Sequence, residues 1–128
     1  MSYDPRLLFA QICVRLEETP ARSLLDLSRE FHVGARTIQS VVASMTGGKK
    51  FSSFKDDILI ARLTRLCVTR PFSPIKEISC DLGYKSVRAF TRAVRRGSGA
   101  SPAEFRDRLV AQVASRRTRT LKASTAIQ

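Results

Sequence analysis

A layout that occurs twice in the chain limits its fold more than any other feature. Around Val33-Gly34 and again around Gly83-Tyr84, a short stretch with apolar residues at helical spacing is interrupted and then followed by a second such stretch. Apolar residues at intervals of three and four are typical of amphipathic helices. Two short helices joined by a tight turn that contains glycine form a helix-turn-helix. We therefore predict an all-α protein with two helix-turn-helix units.

Helix start and stop signals divide the chain further. An apolar stripe from Pro5 to about Glu18 precedes the first unit, and a longer stripe from Phe54 to Thr69, ended by prolines, lies between the two units. We predict a first helix-turn-helix subdomain at residues 1–50 and a long linker helix at residues 51–70. A second helix-turn-helix subdomain at residues 71–114 and a basic, disordered tail at residues 115–128 follow. The tail carries four basic and no acidic side chains, and no apolar periodicity. Each subdomain is expected to be a homeodomain-like unit of three helices.

Several residues carry local signals for helix ends. Ser23 with Asp26 three residues later predicts a capping box, in which each side chain binds the other's backbone amide. Ser101 followed by Pro102 predicts the start of a last helix that runs to about Ala114. The turn at Gly83 is expected to need a positive φ, which glycine adopts at little cost.

The charge of the chain indicates an anionic partner. It contains 23 Lys and Arg against 11 Asp and Glu, a formal net charge of +12, and such an excess favours nucleic-acid binding. No apolar run approaches the roughly 18 residues of a membrane span, and an N-terminus with an acid at Asp4 does not resemble a signal peptide. We therefore expect a cytoplasmic protein without membrane contact.

The residues needed for metal or enzyme chemistry are few. Cys13, Cys67 and Cys80 lack CxxC spacing and have apolar neighbours, so we predict buried, reduced thiols. His32 is the only histidine and lies at the expected end of a short helix, where a capping role is the simpler interpretation. We find no zinc-binding spacing and no glycine-rich phosphate motif. We expect no metal, no cofactor and no enzymatic activity.

The second repeated unit contains a longer motif. It reads Ile75-x-x-Ile78-Ser79-x-x-x-Gly83-Tyr84-x-Ser86-x-x-x-Phe90-x-Arg92-x-Val94 and, after four further residues, Gly99-x-Ser101-Pro102-x-x-Phe105-Arg106. This pattern resembles the motif of AraC/XylS-type transcription regulators without a gap, and the first unit resembles that family less closely. Val94 and Ser98 stand where the family usually has an aromatic and another bulky apolar residue. We therefore expect loose packing and mobility from Arg95 to Ser98.

The first unit offers side chains suited to reading bases. Arg36, Gln39 and Ser40 lie on the helix face opposite the apolar stripe. Guanidinium and amide groups can bind guanine and adenine edges in the major groove. We therefore predict base contacts from these three residues.

For the second unit the resemblance implies which residues contact bases. It assigns base reading to the positions of Val87, Arg88 and Arg92. Phosphate contacts, which fix the register without reading sequence, are expected from Thr37, Lys85, Ser86, Arg95 and Arg96.

These observations lead to an expected function. Two recognition helices can enter successive major-groove segments about 34 Å apart on one face of double-stranded DNA. The resemblance implies a transcription regulator, most simply an activator, with RNA polymerase as a candidate partner. Only about twenty residues precede the first unit, which leaves no room for an effector domain, so we expect a monomer on DNA. The alternatives are a non-specific architectural DNA binder and a helical adaptor that docks an acidic protein.

Overall fold

The structure is a computed structural model that describes the backbone of residues 3–127 and the side chains of residues 3–117. This part of the chain folds into seven α-helices and contains no strand. The helices are α1 Pro5–Glu18, α2 Leu24–Phe31, α3 Ala35–Thr46, α4 Phe51–Thr69, α5 Ile75–Asp81, α6 Val87–Ser98 and α7 Pro102–Ile127. The prediction of an all-α fold is confirmed. None of the described helices is both long and apolar enough to cross a membrane.

Helices α1, α2 and α3 pack around a first core. We call it the first cluster; its buried members are Leu8, Ile12, Leu16, Leu27, Ile38, Val41, Val42 and Phe51. The predicted capping box is present at the start of α2: Asp26 N donates to Ser23 Oγ at 3.0 Å, and Ser23 N donates to Asp26 Oδ2 at 3.1 Å. The helix ends at His32, which has a positive φ of 54°. Met45, near the end of α3, is 41% exposed although it follows Val41 and Val42 at helical spacing.

Helices α5, α6 and α7 surround a second core. This second cluster consists of the buried residues Leu59, Leu63, Cys67, Ile78, Leu82, Phe90, Ala93 and Val94. Ser86 caps α6 by accepting from Ala89 N at 3.1 Å, and Ser101 accepts from Glu104 N at 3.2 Å at the start of α7. Each cap satisfies an amide that has no partner inside its helix.

Helix α4 is common to both cores. Phe51, Phe54 and Ile58 pack on the first cluster, whereas Leu59 and Leu63 belong to the second. The helix begins at Phe51, three residues before the apolar stripe that starts at Phe54. Phe51 is buried, and this tertiary contact extends the helix into a segment that looks polar in sequence.

Two further expectations differ from the structure. Helix α7 continues to Ile127 instead of ending near Ala114 before a disordered tail; no glycine or proline follows Pro102 to stop it. Cys80 is exposed and Cys13 only half-buried, so of the three thiols Cys67 alone is buried. The expected mobility from Arg95 to Ser98 stays a prediction; the segment is the last turn of α6, where the Ser98 hydroxyl donates to Val94 O at 2.7 Å.

The two units also touch directly. The amide of Ala21, in the turn before α2, donates to the carbonyl of Leu82, in the turn before α6, at 3.3 Å. Gly83 follows with the predicted positive φ, here 89°. A Cβ at this position would overlap with the Cγ2 of Thr19. The connection between α1 and α2 in the first unit thus lies against the turn between α5 and α6 in the second.

Candidate nucleic-acid interface

Helix α3 has one buried and one exposed face. Ile38 and Val42 are fully buried in the first cluster. Arg36, Gln39 and Ser40 are all exposed, as expected for side chains on the opposite face. The structure therefore brings the three predicted base readers of the first unit together on one solvent-facing surface.

Helix α6 has the same arrangement with more charge. Phe90 and Val94 are fully buried, and Tyr84, before the helix, stacks on Phe90 with ring centroids 5.3 Å apart. Burial raises the pKa of Tyr84 to about 12, so its phenol stays neutral. Exposed side chains at the predicted contact positions are Val87, Arg88, Arg92 and Arg95. Three guanidinium groups at intervals of four and three residues share one face of the helix.

Val87 is an apolar member of this surface. It occupies the first turn of α6 and is 40% exposed. An exposed valine at the start of a recognition helix can contact a thymine methyl group. Its position is consistent with the base-reading role that the family resemblance implies.

The predicted phosphate ligands fall into two groups. Lys85, Ser86 and Arg95 are exposed around α6, and Thr37 is half-buried in the first turn of α3. The Ser86 hydroxyl oxygen already accepts a hydrogen bond from the Ala89 amide. The hydroxyl proton can still be donated to an acceptor such as a phosphate oxygen.

Arg96 is held differently. Its Nε and Nη2 donate to Oδ2 and Oδ1 of Asp56 on α4, each at 2.9 Å. The hydrogen bond to Asp56 raises the pKa of Arg96, so the guanidinium remains charged. Arg96 therefore binds a protein carboxylate with two of its donors, and its side chain is still 58% exposed; its predicted contact with DNA phosphate stays a prediction.

Asp56 is a residue that the sequence analysis did not single out. It lies in the second turn of α4 and is only 8% exposed. The sequence did contain a signal, because Asp56 precedes Leu59 and Leu63 by three and seven residues and so lies in register with a buried stripe.

Metal ligands are not grouped at this surface. Within the residues that the structure describes, no three His, Cys, Asp or Glu side chains come close enough to hold a metal ion. The chemistry that the exposed faces of α3 and α6 offer is hydrogen bonding and positive charge.

The protein has two helix-turn-helix units, and in each the second helix turns a polar face to solvent. This arrangement defines its class as a DNA-binding protein of the helix-turn-helix type. A family model described as a helix-turn-helix domain, of the AraC type, matches residues 27–108. The match covers more than half of the chain, and the chain belongs to this family. It is thus an AraC-type DNA-binding transcription regulator.

Solved structures with the same fold have little sequence in common with the chain. The C-terminal domain of AraT, a response regulator from Geobacillus stearothermophilus, superimposes with a TM-score of 0.65 at 19% identity, covering 80% of this chain and 83% of that one. A protein of unknown function from Listeria innocua superimposes with a TM-score of 0.62 at 17% identity, over 77% and 94% of the two chains. At these identities the likeness establishes the fold alone. No curated protein matches the sequence.

Proposed function

We propose that the protein binds one face of duplex DNA as a monomer, with α3 and α6 in successive segments of the major groove. The observation that carries this proposal is that both helices expose polar faces opposite buried ones and are packed on the same helix, α4. The major groove of B-DNA admits one α-helix at a time, and consecutive groove segments on one face lie about 34 Å apart.

The base contacts follow from the side chains on each exposed face. In the first segment Arg36 and Gln39 would bind guanine and adenine edges, with Ser40 as a shorter hydrogen-bonding partner. In the second segment Arg88 and Arg92 would bind guanine. Val87 would select a thymine methyl.

Phosphate contacts would fix the register of each helix. Lys85, Ser86 and Arg95 surround the exposed side of α6, and Thr37 is in the first turn of α3. Such contacts carry no sequence information, but they supply much of the affinity and its dependence on salt.

We further propose that binding activates transcription at an asymmetric site, with RNA polymerase as partner. The family resemblance supports this proposal, and the cytoplasm is where such a regulator would meet its DNA. A promoter–reporter assay with purified polymerase tests it. Increased transcript on addition of the protein supports activation, and decreased transcript contradicts it.

Selection of bound sites from random DNA tests the binding proposal. Two conserved boxes about one helical turn apart are the expected result, because each recognition helix reads its own segment. A single box would mean that one helix alone reads sequence. Recovery of no common sequence, with affinity that follows salt alone, would indicate a non-specific architectural binder.

A further inference from the structure

Asp56 lies where α4 passes from the first cluster to the second. Phe54, two residues before it, and Ile58, two residues after it, pack on the first cluster, and the next residue, Leu59, belongs to the second. The side chain of Asp56 is 11% exposed. A carboxylate with so little access to water is costly unless a cation and hydrogen bonds compensate it.

The compensating cation comes from the far end of the second recognition helix. Arg96, forty positions later in the chain, binds both carboxylate oxygens of Asp56 through Nε and Nη2 at 2.9 Å. A planar guanidinium that meets a carboxylate at two points fixes orientation as well as distance. The contact therefore restrains how the last turn of α6 lies on α4.

Gly97 permits this close contact between the helices. A Cβ at Gly97 would lie 3.0 Å from Cγ1 of Ile60 and 3.5 Å from the Cβ of Asp56. The first of these distances is shorter than ordinary van der Waals contact. The absence of a side chain thus lets the α6 backbone approach α4 beside the ion pair.

We propose that Asp56 and Arg96 form a brace that positions the second recognition helix relative to the first, and so sets the spacing between the two DNA segments that the protein reads. This inference rests on the proposed function, in which α3 and α6 both enter the groove. Helix α3 shares the first cluster with α4, so a fixed angle between α4 and α6 also fixes α6 relative to α3. Asp56 and Arg96 are positioning residues that act through α6.

A second contact acts together with the brace. The Ala21 amide binds the Leu82 carbonyl, which restrains the turn that leads into α6. The brace restrains the opposite end of the same helix. The two contacts thus restrain α6 at its last turn and at the turn that precedes it.

Binding to a series of operators tests the brace. The site obtained by selection is altered only in the spacing between its boxes, by one or two base pairs in each direction, and affinities are measured for the wild type and for Asp56→Asn. The wild type should lose about tenfold or more in affinity at altered spacing, as expected when one box is out of register. Asp56→Asn should prefer the same boxes but show a flatter dependence on spacing.

Asp57→Asn is the matched control. It removes the same charge from the neighbouring position of α4, where Asp57 is exposed and paired with Lys49. It should keep the spacing dependence of the wild type. The brace is overturned if Asp56→Asn also keeps it, or if Arg96→Ala weakens binding equally at every spacing and lowers the salt slope by about one, as loss of a phosphate ligand would.

A measurement without DNA separates the brace from the proposed function. Spin labels at the exposed Cys80 on α5 and at Ser44→Cys on α3, with Cys13 replaced by serine, report the distance between the two units. Wild-type and Asp57→Asn backgrounds should give a narrow distance distribution, and Asp56→Asn a broader one. Equal widths would overturn the brace. If Asp56→Asn broadens the distance distribution but the protein selects only one box from random DNA, the brace is retained and the two-segment proposal is rejected.

Arg96→Lys keeps the test valid if Asp56→Asn fails to fold, which circular dichroism would reveal. Lysine preserves the charge beside Asp56 but cannot bind both oxygens in a fixed geometry. A folded Arg96→Lys variant should also give a broader distribution than the wild type. A distribution as narrow as that of the wild type would contradict a role for the two-point contact.

Discussion

Gly83 lies against Thr19, and no side chain fits between them. A Cβ on Gly83 would overlap with the Thr19 Cγ2, and the glycine has a φ of 89°, which other residues adopt only with strain. Beside this contact, Ala21 N donates to Leu82 O. Glycine is therefore required here both by the backbone of its own turn and by the turn of the other unit.

Replacing Gly83 by alanine should destabilise the protein by about 2–5 kcal/mol. The left-handed backbone contributes about 1–2 kcal/mol of this cost, and the overlap with Thr19 contributes a further 1–3 kcal/mol that relaxation of the turns can reduce. Urea unfolding followed by circular dichroism measures the change.

Two variants separate the contributions. Gly47→Ala has a similar backbone, with a φ of 75° and no atom within 4 Å of the added Cβ, so it should show the backbone cost alone. Thr19→Ser removes the overlapping methyl group and should recover part of the loss in a Gly83→Ala background. Equal losses for Gly47→Ala and Gly83→Ala would contradict the contact between the turns.

The relationship between Gly83 and Thr19 could be predicted only in part from the sequence. The turn at Gly83 and its positive φ could be predicted, because the pattern of apolar residues on both sides places a tight turn there. The contact with Thr19 could not be predicted, because it depends on how the two units pack together. Thr19 and Gly83 are 64 positions apart in the chain. Local patterns define each helix-turn-helix, whereas packing defines the angle between them.

Arg92 and Arg95 should differ in the kind of binding they support. Arg92→Ala should cost about 1–3 kcal/mol on the selected site and less on unrelated DNA, because a base contact is lost. Arg95→Ala, the matched change one turn later, should weaken binding to all sequences alike and reduce the salt slope by about one. Electrophoretic or fluorescence titrations at several salt concentrations measure both. A uniform loss for Arg92→Ala would contradict base reading at that position.

The role of Arg96 illustrates what sequence patterns omit. Arg88, Arg92, Arg95 and Arg96 look equivalent in sequence, and a count of basic residues assigns them all to DNA. Arg96 differs because its guanidinium binds Asp56, which lies on the buried stripe of α4. The pattern within α6 does not reveal this partner, which lies forty positions earlier in the chain.

The capping box of α2 should make stability depend on pH. Hydrogen bonds from Ser23, first from its backbone amide and then from its side chain, lower the pKa of Asp26 from its ordinary value. A carboxylate with a lowered pKa in the folded state contributes stability above its unfolded pKa, and this contribution is lost as the pH falls through the folded pKa. Asp26→Asn should therefore be less stable than the wild type at about pH 7, and the difference should shrink below about pH 4.

Ser23→Ala is the control for this pH dependence. It removes the hydroxyl that accepts the Asp26 amide and should cost about 1 kcal/mol, the usual effect of losing a cap. Since a serine hydroxyl does not titrate in this range, most of that loss should persist at low pH. Urea unfolding across the pH range measures both variants. If the difference in the free energy of unfolding between Asp26→Asn and the wild type stays constant with pH, the role of the Asp26 carboxylate is contradicted.

The three thiols should react at clearly different rates in the folded protein. Cys80 is exposed on α5, Cys13 is half-buried on α1, and Cys67 is buried in the second cluster. Burial also raises the pKa of Cys13 and of Cys67, which lowers the fraction of reactive thiolate at neutral pH. Mass spectrometry after a timed reaction with iodoacetamide should find Cys80 modified first and Cys67 last. In urea all three should react at similar rates, and a Cys67 that reacts as fast as Cys80 without urea would mean that the second cluster is open to solvent.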